Sequence, residues 1–302
     1  MPLIRINAAG RTPVPHCGET PLLPALNAAL EGSGTITIML HGYKFHPHDP
    51  QHCPHRHIFA EQDTACHKAK SWPSALGLLE DGGLGIAFGW NARGTLKQAL
   101  RSAGKASVAL AKLITSLRHI APHRPVNLIG HSMGGYVALK ALRHLSAGDV
   151  HRIIALNAAV FRGCAGRAMA TPAGQSAELI NMVSGENAVY DFLLKRALRR
   201  KDDALGRGFS AHNALTIRLE NRQALARLAS VGYRIAPPKH WYCHWSTYLR
   251  SGVFDLYAAL LAAPERTPLP YLQSLLDGAP QVAQHLPDKN AQPLPLGLKQ
   301  AS

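Results

Sequence analysis

Apolar residues along the chain are grouped into short runs that are apolar on both faces. The clearest runs are 35–40, 84–90, 126–129 and 152–157. Runs of this kind are typical of strands that are covered on both sides in a parallel sheet. Further strands are predicted at 3–8, 177–183 and 214–219.

The stretches between these runs have helical periodicity. In 95–120, Leu110, Leu113, Ile114 and Leu117 are spaced as the buried face of one long helix. Other helices are predicted at 25–30, 136–145, 189–200, 222–231 and 253–262, the last with Ser251 as its N-cap. The Gly- and Ala-rich segment 161–175 is predicted to be a loop over the site, and 235–248 a loop rich in histidine and aromatic residues.

Alternating strands and helices predict one α/β domain, 1–263, with an open, mostly parallel sheet flanked by helices. Proline, glutamine and glycine accumulate in 264–302, which predicts a loosely packed tail. With 46% apolar residues and no run of about 20 uncharged apolar residues, we expect a soluble protein. No N-terminal signal is evident and the five cysteines have no paired spacing, so we expect a cytoplasmic location with free thiols.

The net charge of +15 comes from 33 Lys and Arg against 18 Asp and Glu. The densest basic group is Lys195, Arg196, Arg199, Arg200 and Lys201. No nucleic-acid-binding motif accompanies it, so we expect no nucleic acid partner and interpret the group as a solvated helix face. Contact with an anionic membrane surface stays open, and the oligomeric state is not predicted.

Between the run 126–129 and the following helix lies the pattern G-x-S-x-G, with Ser132 at its centre. A serine at a sharp strand-to-helix turn has strained backbone angles and projects its hydroxyl from the sheet. We therefore predict that Ser132 is a catalytic nucleophile and that the amide of Met133 donates to an oxyanion. Tyr43, after His41-Gly42 at the end of the run 35–40, is the predicted second amide donor.

A serine nucleophile needs a histidine base, and the histidine needs a carboxylate partner. Glu186, three residues after the strand 177–183, is the predicted acid, with Asp191 as the alternative; Asn187 cannot carry the charge. For the base, His244 lies before the closing helix and is preferred to His240.

The segment 44–67 is rich in side chains that can bind metals. These are His46, His48, His52, Cys53, His55, His57, Cys66 and His67. The paired spacing of a structural zinc site is absent, so we interpret the segment as a His-rich insert beside the mouth of the site, and we predict no metal.

The segment 35–43, the glycine-flanked Ser132 and the position of His244 together resemble the α/β-hydrolase fold family, over about 3–263. The resemblance implies a serine hydrolase, esterase-like, that cleaves a small-molecule ester or related acyl bond without a cofactor. It assigns Ser132 as nucleophile, Met133 and Tyr43 as oxyanion donors, Glu186 as acid and His244 as base. Two alternatives stay open: a non-catalytic binding protein on this scaffold that uses its basic surface, and a metal-dependent hydrolase that uses the His-rich insert.

Overall fold

The computed structural model describes residues 3–18, 20–66, 68–80 and 83–277. The strands are β1 (Leu3–Ala9), β2 (Thr12–Pro15), β3 (Thr35–Leu40), β4 (Gly83–Gly89), β5 (Val126–His131), β6 (Arg152–Leu156), β7 (Glu178–Val183) and β8 (Ala214–Arg218). The helices are α1 (Leu22–Ala29), α2 (Trp72–Ala75), α3 (Leu96–Ile120), α4 (Met133–Ala141), α5 (Arg162–Met169), α6 (Pro172–Ser176), α7 (Ala188–Ala197), α8 (Arg222–Ser230), α9 (Ser246–Leu249), α10 (Val253–Ala262) and α11 (Leu269–Asp277). Within these ranges, no helix is both long and apolar enough to cross a membrane.

The strands form an eight-stranded sheet in the order β2-β1-β4-β3-β5-β6-β7-β8. β1 and β2 pair antiparallel, and every other pair of neighbours is parallel. The predicted open, mostly parallel sheet is therefore confirmed. The carboxyl ends of β3, β5, β6 and β7 meet at one edge, where parallel sheets of this kind bind their ligands.

Helices cover both faces of the sheet, which explains why the central strands are apolar on both sides. Ile36 and Ile38 of β3 belong to a buried cluster that includes Leu113 of α3. Met39, the residue after Ile38, lies on the opposite face and belongs to a second cluster with Leu256 of α10. Every residue of β3, β4, β5 and β6 is buried.

The predicted loop at 161–175 is wrong, because this segment forms α5 and α6. Thr171 caps α6 by accepting a hydrogen bond from the Gly174 amide, and Pro172 occupies the first turn. A Cβ atom at Gly174 would lie 2.6 Å from Cα of Met169. The small residues therefore allow two short helices to pack closely, rather than making the segment irregular.

Two predicted boundaries near the C-terminus also change. Gly252, with φ 83°, is the N-cap of α10 and makes no side-chain capping bond, so the prediction that Ser251 caps this helix is wrong. The predicted tail begins too early at 264, because α11 buries Leu269, Leu272 and Leu275 against the sheet. Gln273 of α11 also donates a hydrogen bond to the Ala214 carbonyl at 3.2 Å. Residues 278–302 of the predicted tail lie outside the described residues.

Candidate active site

Ser132 lies at the sharp turn between β5 and α4. Its backbone angles are φ 55° and ψ −118°, a region that non-glycine residues rarely adopt, and the residue is buried. A Cβ atom at Gly130 would come within 2.6 Å of the Gly134 carbonyl carbon, and one at Gly134 within 2.8 Å of the His41 carbonyl oxygen. Glycine on both sides of Ser132 is therefore required by the close approach of the backbone.

Two backbone amides beside Ser132 are free to bind an anion. Met133 is the first residue of α4, and its amide makes no hydrogen bond within the described part of the chain; the same holds for the Tyr43 amide. Tyr43 follows Gly42, where an added Cβ atom would lie 3.1 Å from Cβ of Ser132. Both predicted oxyanion donors are thus on segments that adjoin the serine.

The turn after β3 is fixed by His41. Its ring is fully buried and stacks on Trp90, with centroids 5.2 Å apart. His41 Nε2 accepts a hydrogen bond from the Trp90 amide at 2.9 Å, so Nδ1 carries the proton and donates to the Gly42 carbonyl at 2.9 Å. Burial lowers the pKa of His41 to about 3, so the ring stays neutral and keeps this arrangement.

The loop between α8 and α9 brings His244 to the serine. The His244 carbonyl accepts hydrogen bonds from His131 Nε2 at 2.9 Å and from Asn157 Nδ2 at 3.1 Å. His131 directly precedes Ser132, and Asn157 follows β6 with φ 41°. Asn157 also accepts a hydrogen bond from the Ser184 amide at 3.1 Å, so its side chain joins three loops at the carboxyl edge. Sequence reasoning missed Asn157.

The His244 side chain is held in one orientation. Nδ1 is 2.6 Å from Asn187 Oδ1, and the ring stacks on Tyr190 with centroids 4.7 Å apart. An amide oxygen can only accept, so Nδ1 carries the proton and Nε2 is left as an acceptor. Burial, followed by the nearby His131, lowers the pKa of His244 well below 6.5. His244 is therefore a neutral imidazole with a free basic nitrogen.

The structure does not place Glu186 on His244. The Glu186 carboxylate pairs with Arg250 Nη2 at 2.5 Å, and also bonds Ser184 Oγ at 3.1 Å and the His240 amide at 3.0 Å. Although burial alone raises the pKa of Glu186, its hydrogen bonds, with that from Arg250 foremost, hold the pKa below the usual value. Glu186 is thus a buried ion-pair partner that fastens the loop carrying His244.

Asp191, the alternative acid, reaches His244 only through Asn187. Asn187 Nδ2 donates to Asp191 Oδ1 at 3.0 Å. Burial raises the pKa of Asp191 to about 6, against the opposing effects of Arg207 and of the Asn187 hydrogen bond. The arrangement is a chain of two hydrogen bonds from His244 to Asn187 to Asp191. The uncharged Asn187 is therefore the residue that bonds the ring.

Ser132 and His244 open into the same cavity, which has a volume of about 540 Å³. The oxyanion residues, Asn157, Asp191 and one side of α7 also line it, and most of its wall is apolar. In the described part of the chain no hydrogen bond joins Ser132 Oγ to His244, and such contacts are often long before substrate binds. His240, the alternative base, lies in a separate outer groove.

Three histidines associated with the His-rich insert are gathered around Asn7. Its side chain lies 2.9 Å from His16 Nδ1, 3.3 Å from His48 Nε2 and 2.8 Å from His55 Nε2. Burial, reinforced by His16, lowers the pKa of His55 to about 2. Among the described residues, no three His, Cys, Asp or Glu side chains are placed to hold a metal ion. His67 lies outside the described residues.

The chain is similar to a known family and to several solved structures. Residues 38–293 match the family model of the alpha/beta hydrolase family. No curated protein matches the chain. A solved acetyl xylan esterase is 14% identical over 78% of this chain and 99% of its own, with a TM-score of 0.39. XC6422 from Xanthomonas campestris, a serine hydrolase without a lid, is 14% identical over 63% and 73%, with a TM-score of 0.31. MenH from S. aureus is 8% identical over 82% and 96%, with a TM-score of 0.34.

Proposed function

The chain belongs to the alpha/beta hydrolase family, and from this premise we propose that it is a serine hydrolase that cleaves a carboxylic ester or a related acyl bond. The observation that carries the proposal is the strained Ser132 turn, which shares one cavity with a neutral imidazole. Burial keeps His244 unprotonated, and Asn187 keeps its Nε2 free to accept a proton. A serine hydroxyl needs such a neighbour to become a nucleophile.

In the proposed reaction, Ser132 Oγ attacks the acyl carbonyl carbon while His244 Nε2 accepts the hydroxyl proton. The negative charge that develops on the carbonyl oxygen is stabilised by the amides of Met133 and Tyr43. His244 then donates its proton to the leaving oxygen, the bond to the leaving group breaks, and an acyl-serine remains. Water attacks this ester with His244 again as base, and the carboxylic acid leaves as Ser132 regains its proton.

Asn187 is the residue that orients the base in this proposal, and Asp191 is a positioning residue behind it. An asparagine that presented its NH₂ group to His244 would select the wrong tautomer. The Asp191 carboxylate can only accept, so it binds the Asn187 NH₂ group and turns the amide oxygen toward the ring.

The substrate class follows from the cavity. A mostly apolar wall around Ser132 suits an uncharged acyl group. A charged acyl group would lose hydration against this apolar wall. Esters of graded chain length, with p-nitrophenol as leaving group, measure how much of the cavity the acyl chain fills.

Labelling with a fluorophosphonate probe tests the proposal. The native protein should be labelled on Ser132 and should hydrolyse p-nitrophenyl esters, and Ser132→Ala should lose both properties while keeping its circular dichroism spectrum. Ser251→Ala is the matched control, because Ser251 is an exposed serine outside the cavity. A folded native protein that is neither labelled nor active would favour the non-catalytic binding protein. Activity that persists in Ser132→Ala and disappears with a chelator would favour the metal-dependent hydrolase.

A further inference from the structure

Exposed large apolar side chains are concentrated on two segments beside the cavity. Val189, Phe192 and Leu193 lie on α7, and Trp241 and Tyr242 lie in the loop that carries His244. Trp241 is 99% exposed and Phe192 62% exposed, so the described part of the protein leaves both uncovered. We call these five residues the apolar rim. Apolar side chains that gather in one place mark a site of interaction.

The basic group of the chain lies next to the apolar rim. Phe192 shares a groove with Arg196, Arg199 and Arg200. Lys195 pairs with Asp203 at 2.8 Å, whereas no described carboxylate pairs with Arg196 or Arg199. Lys201 follows directly and is exposed. The positive charge here is therefore largely uncompensated, unlike that of a surface covered with ion pairs.

The apolar rim and the cavity share walls, so both belong to one face of the protein. Leu193 and its neighbours Tyr190 and Leu194 line the cavity of Ser132. Tyr190 also lines the outer groove that contains Trp241 and Tyr242, together with two lysines. A flat partner that touched α7 and the His244 loop would therefore cover the mouth of the cavity.

We infer that this face binds an anionic lipid bilayer, with the apolar rim inserted at the level of the headgroups. Trp and Tyr favour the membrane interface, and arginines beside them pair with anionic lipid headgroups. A short helix with exposed Phe, Leu and Val and basic residues at its C-terminal end has the composition of a helix that lies on a membrane. A protein partner would require an apolar and acidic surface of matching shape, and no residue of the face indicates that shape.

The position of the cavity gives this binding a consequence for the substrate. An ester in the leaflet that faces the protein could pass its acyl chain from the headgroup level into the apolar cavity without crossing water. This step rests on the proposed function, whereas binding to the bilayer does not. We therefore expect amphiphilic esters, presented in anionic vesicles, to be hydrolysed faster than short water-soluble esters.

Flotation with lipid vesicles tests the binding. Ser132→Ala should float with vesicles that contain phosphatidylglycerol, much less with pure phosphatidylcholine, and less again at high salt. Of the four tryptophans, Trp72 and Trp90 are fully buried and Trp245 is half-buried, so a blue shift of emission on binding should come mainly from Trp241 and should be much smaller in Trp241→Phe. Using the inactive variant makes this result independent of whether the protein is a hydrolase.

The variants are matched in charge and exposure. Arg196, Arg199 and Lys201, each changed to Gln, should lower vesicle affinity about 100-fold, because each cation near an anionic surface contributes about fivefold. The same change at Arg11, Lys105 and Lys112, which are exposed on β1–β2 and α3, should have little effect. Phe192→Ala should lower affinity roughly tenfold, and Leu23→Ala, at an exposed leucine on α1, should not. The inference is wrong if the two triple variants behave alike, or if vesicles do not bind and an acidic polypeptide such as polyglutamate does.

Discussion

Replacing Asn187 by alanine tests which residue orients the base. In the structure, Asn187 Oδ1 accepts from His244 Nδ1 at 2.6 Å, whereas the Glu186 carboxylate bonds Arg250. The Asn187→Ala variant removes the amide and keeps the backbone of the 3₁₀ turn that precedes α7. His244 then loses the acceptor that fixes its tautomer, and the imidazolium that forms during the reaction loses a hydrogen bond.

The size of the effect follows from the kind of hydrogen bond. A hydrogen bond to a charged group contributes about 1.5–3 kcal/mol, which converts to a loss of about 10- to 10²-fold in kcat. Because the bond strengthens when the ring becomes charged, kcat should fall while KM stays nearly unchanged. A carboxylate in this position would give a larger loss, about 10⁴-fold, when replaced by its amide. The expected value is smaller because Asn187 is neutral.

Steady-state kinetics on a p-nitrophenyl ester, with Glu186→Gln as the comparison, measures the effect. Glu186→Gln leaves the buried Arg250 without its charge partner, so we expect a loss of about 3–5 kcal/mol in the free energy of unfolding. The folded fraction of this variant should have a kcat closer to that of the native protein than Asn187→Ala has.

Asn187→Asp is a second variant. Its carboxylate would favour the imidazolium, raise the pKa of His244 and move the acid limb of the rate profile to higher pH. If Glu186→Gln lowers kcat more than Asn187→Ala, and Asn187→Asp leaves the acid limb unmoved, the reasoning is refuted.

Two further variants examine the supporting contacts. In Asp191→Asn, the native fall in kcat/KM as the pH drops through about 6 should disappear, because Asp191 titrates there and His244 titrates well below 6.5. Because the pKa of Asp191 is raised in the folded protein, ionisation of this carboxyl lowers the stability of the native protein as the pH rises from about 4 through about 6. Asp191→Asn should therefore be up to about 3 kcal/mol more stable than the native protein at pH 8, measured by urea unfolding. Equal stability of the two proteins would contradict this prediction. In Asn7→Ala, the loss of contacts to His55 and its neighbours should lower the free energy of unfolding by about 1–3 kcal/mol and leave kcat unchanged. A lower kcat in this variant would contradict the prediction and would show that the histidine cluster contributes to catalysis.

The sheet was predictable from the sequence because its strands are specified locally. Runs apolar on both faces, such as 35–40, occur only where both sides are covered, and β3 is buried at every residue. The motif around Ser132 was predictable because its pattern is local in sequence, although the backbone that requires Gly134 belongs to the end of β3. The short helices α5 and α6 were missed because small residues indicate both loops and close packing.

The contacts around His244 could not be predicted, because they depend on how loops from distant parts of the chain meet. Asn157, Asn187 and Arg250 follow different strands or helices, and only the folded sheet brings them to one edge. The sequence predicted Glu186 as the partner of His244 because Glu186 is a charged residue just after the strand 177–183, where the acid is expected. Arg250, a buried cation 64 residues away, instead binds Glu186, and the neighbouring Asn187 faces the ring. An asparagine directly after the predicted acid was the available signal.

In this site, the residue that orients the base carries no charge. A carboxylate on His244 would orient the ring and also raise its pKa. Asn187 orients the ring without that charge, so the pKa of His244 stays low and the ring is neutral over a wide range of pH. A histidine with a low pKa is a weaker base and, once protonated, a stronger acid. The site should therefore favour esters whose leaving alcohol needs full protonation. The ratio of kcat for an alkyl ester to kcat for a p-nitrophenyl ester should be higher in the native protein than in Asn187→Asp.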